Sequence, residues 1–368
     1  MEEISATIRV DRIVLLHVTG IVETVLVLPV LEALRASFPG ATIGVISSKS
    51  AGPVYARSRV SPQVWTVGNW SDGDLLDPRY LWGTIRTVRE LRGEPVDLLV
   101  ELIQEGPTSW LGACLPPPAW RLTASGLQRG SARSWEKWIR RLLEPIGRDL
   151  RRGFFPAPLH KTQEWLQRLE PLGVRPSVST PRLVTDPSTD RRVAQRLEKA
   201  SRAGRSATQG LLIGLAAGSG PAGMDWTKER AVSLARRLVH HFDARILVLD
   251  DPTRPGFARE VEPELRRGVP GRLIRLPSRQ SFDETLSFLA RLSLLVAPLG
   301  PIAHLAAAVS TPVVALTRDP TPGPLDLLSP QTVHVRPLRG EALVEEERVY
   351  EGACQLLHFS RAELLTQR

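Results

Sequence analysis

LSLLVAPLGPIAHLAAAVSTPVVAL, residues 292–316, decides the fold of this chain. Leu294, Leu295 and Val296 make an apolar run that stops at a Pro/Gly loop, Ala297 to Pro301. A short alanine-rich helix is expected over Ile302 to Val309, then Ser310, Thr311 and Pro312 and a second apolar run, Val313 to Leu316. Strand, turn, helix and strand in that order form a βαβ unit, whose parallel strands require a right-handed crossover. The loop falls where the first strand ends and the helix begins. In open α/β sheets that is the ligand-binding edge, because unpaired N–H groups and the helix dipole attract phosphate. The small side chains of Ala306, Ala307 and Ala308 let the helix lie close to the sheet.

The same alternation extends backwards through the second half. Leu211 to Leu215 reads as a strand, Ala216 to Gly223 as a glycine-rich loop and Lys228 to His240 as a helix. Arg245 to Leu249 is a strand ending at Asp250 and Asp251; Arg272 to Leu276 and the helix Phe282 to Ala290 follow. The first half repeats the pattern. Arg12 to Val18, Ala41 to Ser47, Val64 to Val67 and Val96 to Leu102 read as strands, with a helix over Leu81 to Arg92. Ile21 to Phe38 is β-branched at first, but Pro29 argues against a central strand, so a helix starting near Glu23 and kinked at the proline is expected. Pro116 to Pro118 open a less regular region. Amphipathic helices are expected at Trp135 to Leu143 and Lys161 to Leu172, with Trp135, Trp138 and Trp165 as packing residues. Pro176 to Thr189 reads as a linker and Arg191 to Ala200 as a charged helix. The expected fold class is α/β and GT-B-like: two doubly wound Rossmann-type domains facing across a cleft, residues 1–185 and 186–340, with a helical tail at 341–368.

Lys and Arg exceed Asp and Glu by nine, which reads either as a solvated basic surface or as attraction to an anionic partner. No zinc-finger, RNP or helix-turn-helix spacing is present, so nucleic acid is not expected. Cys114 and Cys354 lack metal or redox spacing, and no His/Cys/carboxylate cluster has metal-ligand spacing, so neither metal nor cofactor is expected. The opening Met1, Glu2 and Glu3 lack the basic region of a signal peptide, and no apolar run approaches the ~20 residues that span a bilayer. A cytoplasmic protein is expected.

Four stretches, in order across both halves, resemble glycosyltransferase family nine, the ADP-heptose:lipopolysaccharide heptosyltransferases. RIVLLHVTGIVETVLVLPVLEALRASFPGATI (12–43) resembles the family's opening strand, Ser-x-Gly-Asp turn and apolar helix. HKTQEWLQRLEPLGV (160–174) resembles its mid-chain helix. IGLAAGSGPAGMDWTKERAVSLARRL (213–238) is similar to its Asn-Pro-Gly-Ala loop and following helix, and GPIAHLAAAVSTPVVAL (300–316) to its Gly-Pro-Met-His-Leu-Ala-Ala-Ala stretch.

The resemblance implies a catalytic carboxylate at Glu23, where the family has aspartate, and a nucleotide-sugar site at Gly218, Ser219, Gly220, Gly300, Pro301 and His304. Asp250 and Asp251 stand where the family tends to have glycines; they can bind ribose or sugar hydroxyls, but would repel a diphosphate. Other positions depart as well: Val22 for glycine, Met224 for the phosphate-facing lysine, Leu299 for aspartate, and Glu101-Leu102-Ile103 for Asp-Leu-Gln. Pro301 has no N–H to offer a phosphate. His17 replaces a usually basic residue, and a structural role is expected. Read without the resemblance, Glu23 is equally a helix-capping carboxylate, His304 a buried histidine satisfied by a backbone carbonyl, and the glycine loop a plain strand-to-helix turn.

Two functions from different classes follow. One is an inverting transferase moving a sugar from a nucleotide-sugar donor, an ADP-sugar by resemblance, to the hydroxyl of a glycan or anionic glycolipid, with peripheral contact at the membrane's inner face. The other is a non-catalytic relative kept as a binding or scaffold protein, favoured by the substituted lysine and aspartates.

Overall fold

A computed structural model describes residues 10–67, 78–91, 93, 95–103, 111–112, 115, 117–123, 126–129, 159–174, 179–203, 210–217, 227–250, 256–274, 276, 280–317, 321–337 and 344–366. The chain divides into two compact units, Met1–Ser179 and Thr180–Arg368.

The first unit is built on β1 (Arg12–His17), whose residues from Ile13 onward are buried on both faces. A strand sandwiched on both sides is apolar throughout rather than alternating, which is why RIVLLH reads as one run. β1 lies between β2 (Thr42–Ser48) and β4 (Leu98–Glu101), parallel to both, with Leu15 beside Val45 and Val100. β3 (Gln63–Val67) extends one side; β5 (Trp120–Thr123) and β6 (Gly126–Arg129) extend the other, giving the order β3-β2-β1-β4-β5-β6. β6 runs antiparallel to β5, with Thr123 opposite Gly126. Gly126 has φ of 107°, a conformation that glycine alone takes without strain. Neither strand was expected from the sequence, because WRLT and GLQR are too short and polar to make an apolar run.

After β1 come α1 (Ile21–Leu26) and α2 (Leu28–Ser37), joined at Val27. The bend comes just before Pro29, as the sequence suggests, although the helix starts two residues before Glu23. Pro29 sits in the first turn of α2, where its missing N–H has no intrahelical partner to lose. Residues 24–31 are all buried, so burial overrides the β-branched propensity of Thr24, Val25, Val27 and Val30. α3 (Gly52–Ala56), α4 (Pro78–Leu91) and α5 (Lys161–Arg168) complete the described helices of this unit, with a 3₁₀ turn at Glu170–Leu172. Trp165 is fully buried, as expected of a packing residue; Trp135 and Trp138 lie outside the described residues.

The second unit repeats the plan. β7 (Leu212–Ala217), β8 (Arg245–Asp250), β9 (Leu273–Ile274), β10 (Leu294–Pro298), β11 (Val313–Leu316) and β12 (Thr332–Val335) are ordered β12-β11-β10-β7-β8-β9, and all are parallel. Counted within each unit, both sheets follow the doubly wound order 3-2-1-4-5-6. α6 (Pro187–Ala203), α7 (Lys228–Phe242), α8 (Phe257–Gly268), α9 (Phe282–Leu289), α10 (Pro301–Ala308) and α11 (Glu346–Thr366) accompany the sheet. Ile213, Leu215, Leu238, Phe257, Leu294 and Leu357 belong to one buried cluster. α8 and β12 are additions to the sequence reading; Pro263 inside α8 had masked its apolar face of Phe257, Val261 and Leu265. The βαβ unit at 292–316 is present, with β10 running two residues past Val296 to Pro298 and α10 starting at Pro301.

Candidate functional site

In each unit the strand order reverses beside the first strand, between β1 and β4 and between β7 and β10. The carboxyl ends of these strands are where such folds bind ligands, because helices diverge to either side and leave a crevice.

In the second unit β10 ends at Pro298, and Leu299 N–H donates to the Leu316 carbonyl at 2.8 Å. Gly300 is the N-cap of α10 without a side-chain cap, and Pro301 occupies the first turn. His304 is 1% exposed. Its Nδ1 lies 2.9 Å from the Gly300 carbonyl and its Nε2 3.0 Å from the Leu325 carbonyl. A neutral imidazole carries one N–H and donates to one of these; a protonated ring donates to both. The ring thus joins the α10 N-terminus to the segment after β11. That segment is further tied by Arg336, which donates to the Thr321 carbonyl at 2.8 Å and pairs with Asp326 at 2.5 Å. β7 ends at Ala217 beside this edge; Gly218, Ser219 and Gly220 lie outside the described residues, as do Met224 and Asp251. Asp250, the last residue of β8, accepts from Ala258 N–H at 2.8 Å. It caps α8, whose own N-cap Gly256 has no side chain to do so.

In the first unit Glu23 stands on the first turn of α1, half-buried, three residues after Gly20. Among the described residues no side chain hydrogen-bonds or ion-pairs with its carboxylate. The turn before it is held from beneath. Thr24 Oγ1 donates to the Gly20 carbonyl at 2.7 Å, and Ser48 Oγ to the Thr19 carbonyl at 2.6 Å. Tyr55, from α3, brings its hydroxyl to 2.6 Å from His17 Nδ1, with Thr19 Oγ1 on the same nitrogen at 3.2 Å. Tyr55 also hydrogen-bonds with Thr24. The edge of Trp165 meets the His17 ring, centroids 5.2 Å apart at 87°.

Burial governs the titration of this cluster. It lowers His17 to about 3, so the ring is neutral at physiological pH. Burial also raises the Tyr55 phenol, with the Thr24 hydrogen bond opposing it. Beside β1, Glu101 at the end of β4 is 5% exposed and lies 3.6 Å from Arg121 Nε. Tyr55, Ser48 and Arg121 escaped the sequence reading. They come from other strands and helices, and nothing in their spacing links them to Glu23.

No protein-family model and no curated protein matches the sequence. Solved structures do. A family 9 glycosyl transferase from Veillonella parvula superposes with a TM-score of 0.73 over 97% of this chain and 98% of its own, at 16% identity. The ADP-heptose LPS heptosyltransferase II of E. coli gives 0.68 over 95% and 99%, also at 16% identity. E. coli heptosyltransferase WaaC with ADP gives 0.62 over 95% and 99%, at 12% identity. The fold is GT-B-like. The superpositions cover at least 95% of this chain and 98% of the others, at an identity that speaks for the fold alone.

Proposed function

We propose that this protein transfers a sugar from a nucleotide-sugar donor, an ADP-sugar first among them, to a hydroxyl of a glycan or anionic glycolipid acceptor. The observation that carries this is the Glu23 carboxylate, without a side-chain partner among the described residues, on the first turn of the helix that follows β1, in a chain with the heptosyltransferase fold. Glu23 takes the proton from the acceptor hydroxyl while that oxygen attacks the anomeric carbon. The bond to the donor's nucleoside diphosphate breaks, and the configuration inverts.

Gly218, Ser219, Gly220, Gly300 and Pro301 form the donor side, with His304 holding the Gly300 turn in shape. Asp250, which caps α8 through Oδ1, offers its other carboxylate oxygen, without a partner among the described residues, to a ribose or sugar hydroxyl, with Asp251 as its sequence neighbour in that role. The protein works in the cytoplasm with peripheral contact at the membrane's inner face. Among the described residues no helix is long and apolar enough to cross a membrane.

Titration with ADP, UDP and GDP, followed by melting temperature, tests the donor site. A ligand at 100 times its Kd adds about 2.7 kcal/mol. ADP should raise the melting temperature, and Glu23→Gln should keep that shift while abolishing ADP release from ADP-heptose in the presence of acceptor. No shift with any of the three at millimolar concentration would remove the donor site. A second reading, a scaffold without turnover, draws on Asp250 and His304 being tied into helix capping and backbone contacts; it expects no nucleotide shift.

A further inference from the structure

α4 packs with its amphipathic sense partly reversed. Thr84 and Thr87 are buried, at 3% and 2% exposure, alongside Val88 and Leu91. Val88 and Leu91 join the core cluster containing Trp65 and Val67, and Thr84 Oγ1 has no hydrogen-bond partner there. Outward, Trp82 is 73% and Ile85 56% exposed. At 100° per residue Trp82, Ile85, Arg86 and Arg89 fall on one stripe, since positions three, four and seven apart share a helix face. Arg86 pairs with Glu90 at 2.8 Å, while Arg89 has no ion-pair partner among the described residues.

A tryptophan and an isoleucine stay exposed while threonines go inside, so among the described residues folding of this unit leaves the stripe open to a partner. A tryptophan with arginines on one helix face is the composition of a surface that lies in a membrane interface. The indole seats among headgroups, the isoleucine reaches the acyl boundary, and arginines meet anionic lipid. A protein groove would favour a broader apolar face than two side chains flanked by charge. The chain's excess of nine positive charges adds long-range attraction to the same surface.

We propose that the Trp82–Ile85–Arg86–Arg89 stripe of α4 is the surface by which this protein docks on an anionic lipid bilayer. It assigns residues to the peripheral contact of the proposed function and is independent of sugar transfer. Docking there holds the first unit at the headgroup level, where a glycolipid hydroxyl is presented.

The test is cosedimentation of the full chain with phosphatidylcholine vesicles, with and without phosphatidylglycerol, at low and high salt. Wild type should bind the phosphatidylglycerol vesicles, more weakly as salt rises. Trp82→Ser with Ile85→Ser should weaken binding by at least about tenfold, and Arg89→Gln by about fivefold on anionic vesicles only. Both changes lie at exposed positions, so melting temperatures should match wild type; Trp82→Ser alone serves if the double variant does not fold. Equal binding by wild type and the double variant overturns the assignment of the stripe while leaving membrane contact standing. No binding by wild type overturns both. A dimer dissolved by the double variant makes the stripe a protein interface and also overturns the proposal. The nucleotide titration is unaffected by any of these results.

Discussion

Acidifying this protein from pH 7 to pH 5 should cost on the order of 2 kcal/mol of stability through His17 alone. The ring is fully buried and its folded-state pKa lies at about 3, against 6.5 for an accessible histidine. Below 6.5 the unfolded chain takes up a proton that the native ring refuses, so stability falls as pH falls. The loss begins near pH 6.5, steepens to about 1.4 kcal/mol per pH unit, and levels off below pH 3 at a total of about 5 kcal/mol. The physical source is desolvation: Tyr55, Thr19 and Trp165 surround the ring, and among the described residues no carboxylate is hydrogen-bonded to it to stabilise a charge. His17→Gln keeps a neutral amide at the position and cannot titrate. Urea midpoints for wild type and variant at pH 7 and pH 5 isolate the histidine, because every other acid effect is common to both. The gap between the two proteins should shrink by roughly 2 kcal/mol on going to pH 5. An unchanged gap, or a His17 ring seen by NMR to protonate above pH 5 in the folded protein, refutes the reasoning.

Other consequences are simpler. Tyr55 should show no phenolate absorbance in the folded protein above pH 10; burial raises its pKa, so stability should fall as alkali ionises the unfolded chain only. Gly44→Ala would drive a methyl into the Trp65 ring at Cζ3 and should destabilise the first unit by about 1–3 kcal/mol, measured by urea unfolding. Ser281→Ala removes one half of the capping box with Glu284 at the start of α9 and should cost about 1 kcal/mol in the same assay. Arg336→Leu removes the ion pair to Asp326 and the hydrogen bond to the Thr321 carbonyl, and should speed amide exchange at residues 321–327 before it changes exchange elsewhere.

Much of this molecule was legible in one dimension. Central parallel strands are buried on both faces, so RIVLLH and LLVAP announce themselves as uninterrupted apolar runs. Proline and glycine mark the breaks: Pro29 bends the α1–α2 pair, and Gly300 and Pro301 end β10 and open α10. The elements that escaped are those whose burial is partial or whose sequence carries a contrary signal. β5 and β6 are four residues each at a sheet edge, β12 is mostly half-buried, and α8 contains a proline.

What the chain determined by itself is the periodicity of its apolar residues, and with it two successive doubly wound sheets and the strand ends at which Glu23 and Gly300 stand. The surroundings of those residues were decided only by tertiary structure. His17 became a neutral ring because Tyr55, 38 positions away, and Trp165 close over it. Asp250 became a cap because α8 starts beside it, and His304 a tie because the Leu325 carbonyl comes within 3.0 Å. Apolar pattern is a local property that burial reads directly. Charge state and hydrogen-bond role depend on which distant groups displace water, and that is settled only when the sheets assemble.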